Sequence, residues 1–395
     1  MDFKFSKEAE EFRNEVRAFL NQELPPDWIG MGSTAGLEAE TDEEWELCCS
    51  MRRKLGARGW LSLAWPKEYG GQEDVIKQFI LSEEMFYNEA PGIDFPGASM
   101  LAPVLIKYGT EDQKKTFLAP IAAGEITWCQ GFSEPGAGSD LASLSTRGRE
   151  EGDYFMIDGQ KVWTSNAHRA DWCFFLARTD PDAPKHKGIS FLLVNMKTPN
   201  ITVRPLVDIA GGHFFNEVFF DNTQVPKENL VGKKNEGWAV AMSTLGFERS
   251  GIHRLSAARR NIVRLMEYMR ESKDDAGITT HRTLFRHRLA DLYIEGEVGR
   301  LLAVRVAWLQ SQGKVVDYEA SMSRVFGCEL LQRVSNTGMQ LLGPYSQLRK
   351  GSKWARLRGR IEHDYLDTVA ATIGAGTSEI QRSVIALRGL GLPRG

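Results

Sequence analysis

The sequence predicts an α+β multi-domain protein. It divides into a helical N-terminal domain over 1–126, a compact all-β barrel or sandwich over 127–232, and a C-terminal four-helix bundle over 233–395. Three observations lead there. Apolar residues recur at helical spacing up to about residue 126. Short apolar runs separated by Pro, Gly and Asn then replace them. From about Lys233 the helical period returns and persists to the end of the chain.

Taken in order, Ser6 offers an N-cap and Phe12, Val16, Phe19 and Leu20 follow at helical spacing until Pro25-Pro26. Asp42 to Arg58 reads as a second helix ending at Gly59, followed by an aromatic, turn-rich loop from Gly59 to Gly71. Further helices are expected over Val75–Ala90 and Ala98–Tyr108, and Thr110 caps one running to Ala123. In the β-domain, Tyr154–Ile157 and Gln160–Trp163 flank Asp158-Gly159, the signature of a tight hairpin turn. Strands are expected at Trp172–Ala177, Ile189–Val194, Ile201–Leu206 and Val218–Phe220. The C-terminal helices are interrupted near Ser272–Thr280 and at Gly343-Pro344.

The 395 residues, 42% of them hydrophobic, suffice for two or three domains. A net charge of −3, from 49 basic and 52 acidic residues, argues against nucleic acid or an anionic membrane as partner. The five cysteines lack paired metal spacing and fit a reducing cytoplasm. The N-terminus is charged at once, and no apolar run approaches the roughly 18 residues that span a bilayer. The expectation is a soluble cytoplasmic protein.

One stretch stands out, from Gln130 through Phe132, Ser133, Pro135, Gly136, Gly138 and Ser139 to Asp140. Gly136 and Gly138 permit backbone angles closed to other residues, and exposed N–H groups there suit an anionic or polar ligand. Trp163-Thr164-Ser165-Asn166 adds a flat aromatic surface beside two hydroxyls. The two pieces together suit a planar, phosphate-bearing cofactor.

A carboxylate interrupts an apolar stripe. The helix expected from about Gly237 carries Trp238, Met242, Leu245, Ile252 and Leu255, and Glu248 fills a place among them. Either Glu248 pairs with an arginine such as Arg249 or lies at the stripe's edge, or it is a general base whose pKa apolar surroundings raise. Other chemistries find less support. The glycine loop lacks the Gly-Lys-Ser/Thr of a Walker A motif, and Ser139 lacks a Gly-x-Ser-x-Gly context. No pair of the seven histidines has metal-ligand spacing on one helix face, so no metal is expected.

Ser133–Asp140, Asp158–Asn166, Gln340-Leu341-Leu342-Gly343 and Gly376–Arg382 occur in the order found in the acyl-CoA dehydrogenases, which the chain resembles over essentially its whole length. The resemblance implies FAD, held between the β-domain and the C-terminal bundle. Trp163 would lie against the isoalloxazine ring and Ser165 near its reactive nitrogen. Gln130, Phe132 and Ser133 would meet the ring, Ser139 the cofactor's and pantetheine's entrance, and Gln340, Gly343, Thr377 and Glu379 the dinucleotide part. It further implies α,β-desaturation of an acyl-CoA, with electrons passing to an electron-transferring flavoprotein.

The chain departs from the family pattern twice. Most members place the base directly before Gly-Thr-Ser, where this sequence has Ala375. A minority carries it in a Glu-Arg pair after the β-domain, which implies Glu248 as base, Arg249 beside the substrate, and Ala375 offering only its N–H to the thioester oxygen. In the family that relocation accompanies branched or bulky acyl groups. Self-sufficient members also carry an Arg-x-x-Phe pair reaching a neighbouring subunit's FAD. Here Arg282 and Phe285 have the letters but abut the next helix, which reads as coincidence. The chain thus resembles one subunit of the steroid-degrading members that pair unlike subunits, although a homotetramer stays open. So do a non-catalytic or half-site subunit, and a flavin oxidase or monooxygenase on the same fold.

Overall fold

The computed structural model describes residues 4–30, 39, 41–244, 250–272 and 276–394, the side chains of 276–282 excepted. Helices α1 (Lys7–Glu23), α2 (Asp42–Ala57), α3 (Val75–Tyr87), α4 (Ala102–Tyr108) and α5 (Glu111–Ala123) come first. Strands β1 (Trp128–Gly131), β2 (Arg147–Glu151), β3 (Tyr154–Lys161), β4 (Trp172–Arg178), β5 (Ile189–Asn195), β6 (Ile201–Leu206), β7 (Phe215–Pro226) and β8 (Leu230–Val231) follow. Helices α6 (Gly237–Thr244), α7 (Ile252–Glu271), α8 (Ala276–Ser311), α9 (Tyr318–Leu342), α10 (Arg360–Ala371) and α11 (Ser378–Val384) complete the chain.

These elements form two compact units, and the N-terminal helical segment contributes to both. The first unit comprises Met1–Glu38, Asp74–Pro91 and Arg249–Gly395, the second Ala39–Glu73 and Gly92–Glu248.

In the helical unit, α7, α8 and α9 pack on one another, with α10 and α11 on α9, α3 against α7 and α8, and α1 on α3. Ser6 caps α1 by accepting from Ala9 N at 3.2 Å, as its position before the apolar period requires. Leu255, Ile262, Leu265, Leu330 and Val334 are wholly buried. A second tie is ionic. Glu89, 3% exposed, accepts from both Nη atoms of Arg360 at 2.8 and 2.9 Å and from Arg264 at 3.1 Å.

In the second unit a mixed sheet runs in the order β6-β7-β3-β2-β4-β5-β8, with β1 added parallel to β4. Its core includes Phe155, Ile157, Phe175, Leu192, Val194, Val218 and Val225. α2 opens with a full capping box between Thr41 and Glu44, and α5 with one between Thr110 and Gln113.

Several local expectations are corrected. The hairpin lies not at Asp158-Gly159 but two strands' ends earlier: β2 and β3 pair antiparallel with Glu151 opposite Tyr154, leaving Gly152-Asp153 as a two-residue turn with Gly152 at φ 58°. Asp158-Gly159 instead sits inside β3, where the register against β7 shifts. Gly159 is required there because a Cβ would stand 2.5 Å from Thr146 Oγ1. The charged strand β2 carried no apolar signal and was not expected. The strand expected at Val218–Phe220 runs from Phe215 to Pro226. The single helical stripe from Gly237 to Leu255 is broken, since Gly251 at φ 70° starts α7 afresh. Helix α8 already begins at Ala276, inside the expected interruption.

Candidate functional site

The glycine loop and the Trp163 segment are brought together in the sheet unit, and a β-bulge determines how. Along β3 and β7, Lys161 pairs with Val218. The next bond is Thr164 N to Asn216 O at 3.0 Å, so Val162 and Trp163 oppose Glu217 alone. Two residues against one is a bulge, a device that re-aims a side chain. Trp163 occupies its left-handed position at φ 60°, and Asn166 follows at φ 55°. Positive φ is a genuine outlier for a bulky residue, and such strain clusters at ligand sites. The indole is 55% exposed, touching Phe215 edge-on at 5.6 Å. The freed amide of Val162 donates to Ser133 O at 2.9 Å, which binds the two expected pieces to each other.

The loop itself is held from below. Glu134 and Lys161 are 5% and 0% exposed and bonded at 2.7 Å. Glu134 also accepts from Ser145 N (2.6 Å), Ser145 Oγ (2.9 Å) and Thr146 N (2.9 Å). Burial pushes this carboxyl up, yet the Lys161 charge and these donors outweigh it and hold it at about 2. Lys161 Nζ donates further to Phe132 O at 3.3 Å. Burial draws the Lys161 pKa below the ordinary lysine value, against the pull of Glu134. Arg178 fixes the far end by donating to Ala142 O at 2.6 Å. Phe132 is buried edge-on against Phe174 and Phe191. Sequence reading missed Glu134, Lys161 and Asn216 as supports.

The glycines behave differently from expectation. Neither Gly136 nor Gly138 adopts positive φ, and a Cβ on either would meet nothing within 4 Å. The strained backbone belongs to the Trp163 segment instead. Ser139 is exposed at the loop's tip, beside Asp140, which Lys185 and Ser143 engage at 2.5 Å each. Ser133 and Ser165 are half-buried.

Each of the two segments holds a polar atom buried without a hydrogen-bond partner: Gln130 Nε2, in β1 where the glycine stretch begins, and Thr164 Oγ1, next to Trp163 in the chain. Buried polar groups are normally satisfied, so orphaned polar atoms in the two segments that the Val162–Ser133 bond joins, together with an exposed indole, fit a planar ligand with polar edges. The residues present therefore fit a flavin ring.

The remaining site residues lie in the helical unit. Gln340, exposed near the end of α9, accepts from Arg288. Gly343 ends α9 at φ 55°. Thr377 caps α11 by accepting from Ile380 N at 3.2 Å, and Glu379 is exposed in its first turn. Ala375 sits at φ 52° in the turn before it, and Arg324 donates to the carbonyls of Gly374 and Gly376 on either side. No main-chain bond to a described residue engages the Ala375 N–H. Phe285 is 6% exposed within α8. Glu248 and Arg249 lie outside the described residues. Among the described residues no group of His, Cys, Asp or Glu could hold a metal ion, and no helix is long and apolar enough to cross a membrane.

Three family models match in succession: the acyl-CoA dehydrogenase N-terminal domain over 6–125, middle domain over 129–223 and C-terminal domain over 235–390. The chain belongs to the acyl-CoA dehydrogenase family. It is 36% identical to the acyl-CoA dehydrogenase IpdE1 of Mycobacterium tuberculosis, covering 98% of this chain and 99% of that one. Among solved structures it resembles the Tcur3481-Tcur3483 steroid ACAD, with TM-score 0.89, 33% identity and full coverage of both chains. It also resembles the ChsE4-ChsE5 complex from Mycobacterium tuberculosis, with TM-score 0.86, 32% identity and full coverage of both chains. The family assignment and three-part domain order read from the motifs therefore hold.

Proposed function

We propose that this enzyme desaturates an acyl-CoA thioester between its α and β carbons, using FAD, with Glu248 as the base. The observation that carries the reading is the bulge that leaves the Trp163 indole exposed in a segment bonded to Ser133 of the glycine stretch. FAD, when bound, supplies the acceptor for the hydride that leaves the β carbon. Trp163 gives its ring a flat apolar wall. Gln130, Phe132, Ser133, Thr164 and Ser165 offer donors and acceptors to its edge, and Gln340, Gly343, Thr377 and Glu379 serve the dinucleotide part.

The thioester α-proton is weakly acidic, so charge growing on the carbonyl oxygen needs a positioned donor. The Ala375 N–H is such a donor, its turn braced by Arg324 on both flanking carbonyls. Glu248 takes the α-proton, Arg249 lies beside the substrate, and Ser139 meets the pantetheine arm. Electrons then pass to an electron-transferring flavoprotein. A base at Glu248 and the likeness to steroid dehydrogenases built from unlike subunits support a bulky, steroid-type acyl group and a second dehydrogenase-like subunit. The burial of Phe285 favours the unlike-subunit assembly over a homotetramer, since a buried ring is not offered to a neighbour.

The test is a screen of straight-chain, branched and steroid-type acyl-CoAs, with the chain alone and co-expressed with candidate subunits. Turnover and full flavin loading are expected only with the unlike subunit and a bulky thioester. Stoichiometric FAD and full activity in the chain alone would remove the unlike-subunit assembly.

A further inference from the structure

We propose that Asn216 is a positioning residue that holds the flavin-facing bulge in shape, an inference that rests on the flavin reading above. The bulge needs an added support. Trp163 and Asn166 both sit in the left-handed region, within four residues of each other. A regular ladder does not hold that conformation, because the extra residue removes the partner that the Thr164 carbonyl would meet across the strands.

Asn216 replaces that partner with its own side chain. It is 0% exposed, and its Nδ2 donates to Thr164 O at 3.0 Å and to Phe214 O at 3.3 Å. Its main-chain oxygen accepts from Thr164 N at 3.0 Å, so one residue grips both polar groups of Thr164. Phe214 O in turn accepts from Asn166 N at 2.9 Å. The carboxamide thus ties the Thr164 carbonyl, inside the distorted segment, to the facing Phe214 carbonyl that receives Asn166 N. Its orientation is set as well: Oδ1 faces His213 Nε2 at 3.1 Å, and His213 stacks on His168 with ring centres 4.4 Å apart. A reversed amide would put Oδ1 against two carbonyl oxygens. Asn216 makes no contact with the exposed face of Trp163. It acts through the main chain that follows the indole and flanks Ser165.

The experiment measures FAD affinity of the deflavinated full-length enzyme, in the assembly in which it purifies. Asn216→Ala is expected to weaken FAD about tenfold and to shift the bound flavin's visible band, a signature that a loss of global stability does not produce. In a Trp163→Ala background the same substitution is expected to add less than threefold, because the two act as one unit. Wild-type affinity in folded Asn216→Ala, or a full tenfold loss persisting without Trp163, overturns the inference. Should Asn216→Ala fail to fold, replacing His168 and His213 together with Ala removes both imidazoles that hold the amide's orientation. About threefold weaker binding is then expected, and unchanged affinity overturns the inference. A wild-type enzyme that takes up no flavin refutes the flavin reading itself, and the inference falls with it.

Discussion

Replacing Lys161 with Met tests how the cofactor loop is held. Lys161 is wholly buried and bonds the equally buried Glu134 at 2.7 Å. The substitution keeps the aliphatic volume and removes the charge, leaving Glu134 with its Ser145 and Thr146 donors. Breaking one side of a buried pair costs about 3–5 kcal/mol, because the remaining charge stays buried and uncompensated. For a unit of this size each kcal/mol moves the melting temperature about 2–4 °C, so a fall of about 6–20 °C is expected. Calorimetry of the flavin-free protein at pH 7 measures it. The pH dependence gives a second check. The wild-type Glu134 pKa is depressed to about 2, so its stabilising share is present above the unfolded value of 4.5 and is lost as pH falls toward 2. Without Lys161 the native pKa is less depressed, so the loss between 4.5 and the native value is smaller than in wild type. A Lys161→Met protein melting within about 2 °C of wild type at pH 7 would mean that the buried pair does not hold the loop.

Trp163→Gly separates strain from ligand contact: a glycine accepts φ 60° freely, so the flavin-free protein should hold or gain up to about 1 kcal/mol, while FAD retention falls at least tenfold. Thermal melts of the flavin-free protein and flavin titration read the two effects. Glu89→Gln should destabilise the helical unit by about 3–5 kcal/mol, since Arg264 and Arg360 then face a neutral amide, and chemical denaturation measures this. Ala375→Gly should leave turnover within about threefold, as the donor is a main-chain N–H and φ 52° suits glycine. A larger loss would mean that the alanine methyl, not the amide, matters.

Helices were legible in the sequence wherever a cap and an apolar period coincided, as at Ser6 and Thr110. Strands buried on both faces, such as Ile189–Asn195, announced themselves by composition. Strand β2 did not, because Arg147, Arg149, Glu150 and Glu151 are exposed and the strand is set by its neighbours. The Asp158-Gly159 pair misled for a related reason: the glycine serves a close approach to Thr146, which is a tertiary demand that local letters do not carry. At the site, Trp163 and Ser133 were legible as motif residues. The bulge that aims the indole was not, since a bulge is a relation between β3 and β7 rather than a property of either. Glu134 and Lys161 lie 27 residues apart, and only the folded sheet makes them a pair. Glu248 remains an assignment from pattern and family resemblance, outside the described residues.

That assignment is tested most directly by mixing the flavin-loaded enzyme anaerobically with a steroid-type acyl-CoA, as wild type and as Glu248→Gln. The wild-type flavin is expected to bleach as electrons arrive from the substrate. The Glu248→Gln flavin should stay oxidised, with its FAD content unchanged, because the α-proton is not removed. Bleaching of the variant at a rate near wild type would place the base elsewhere in the chain.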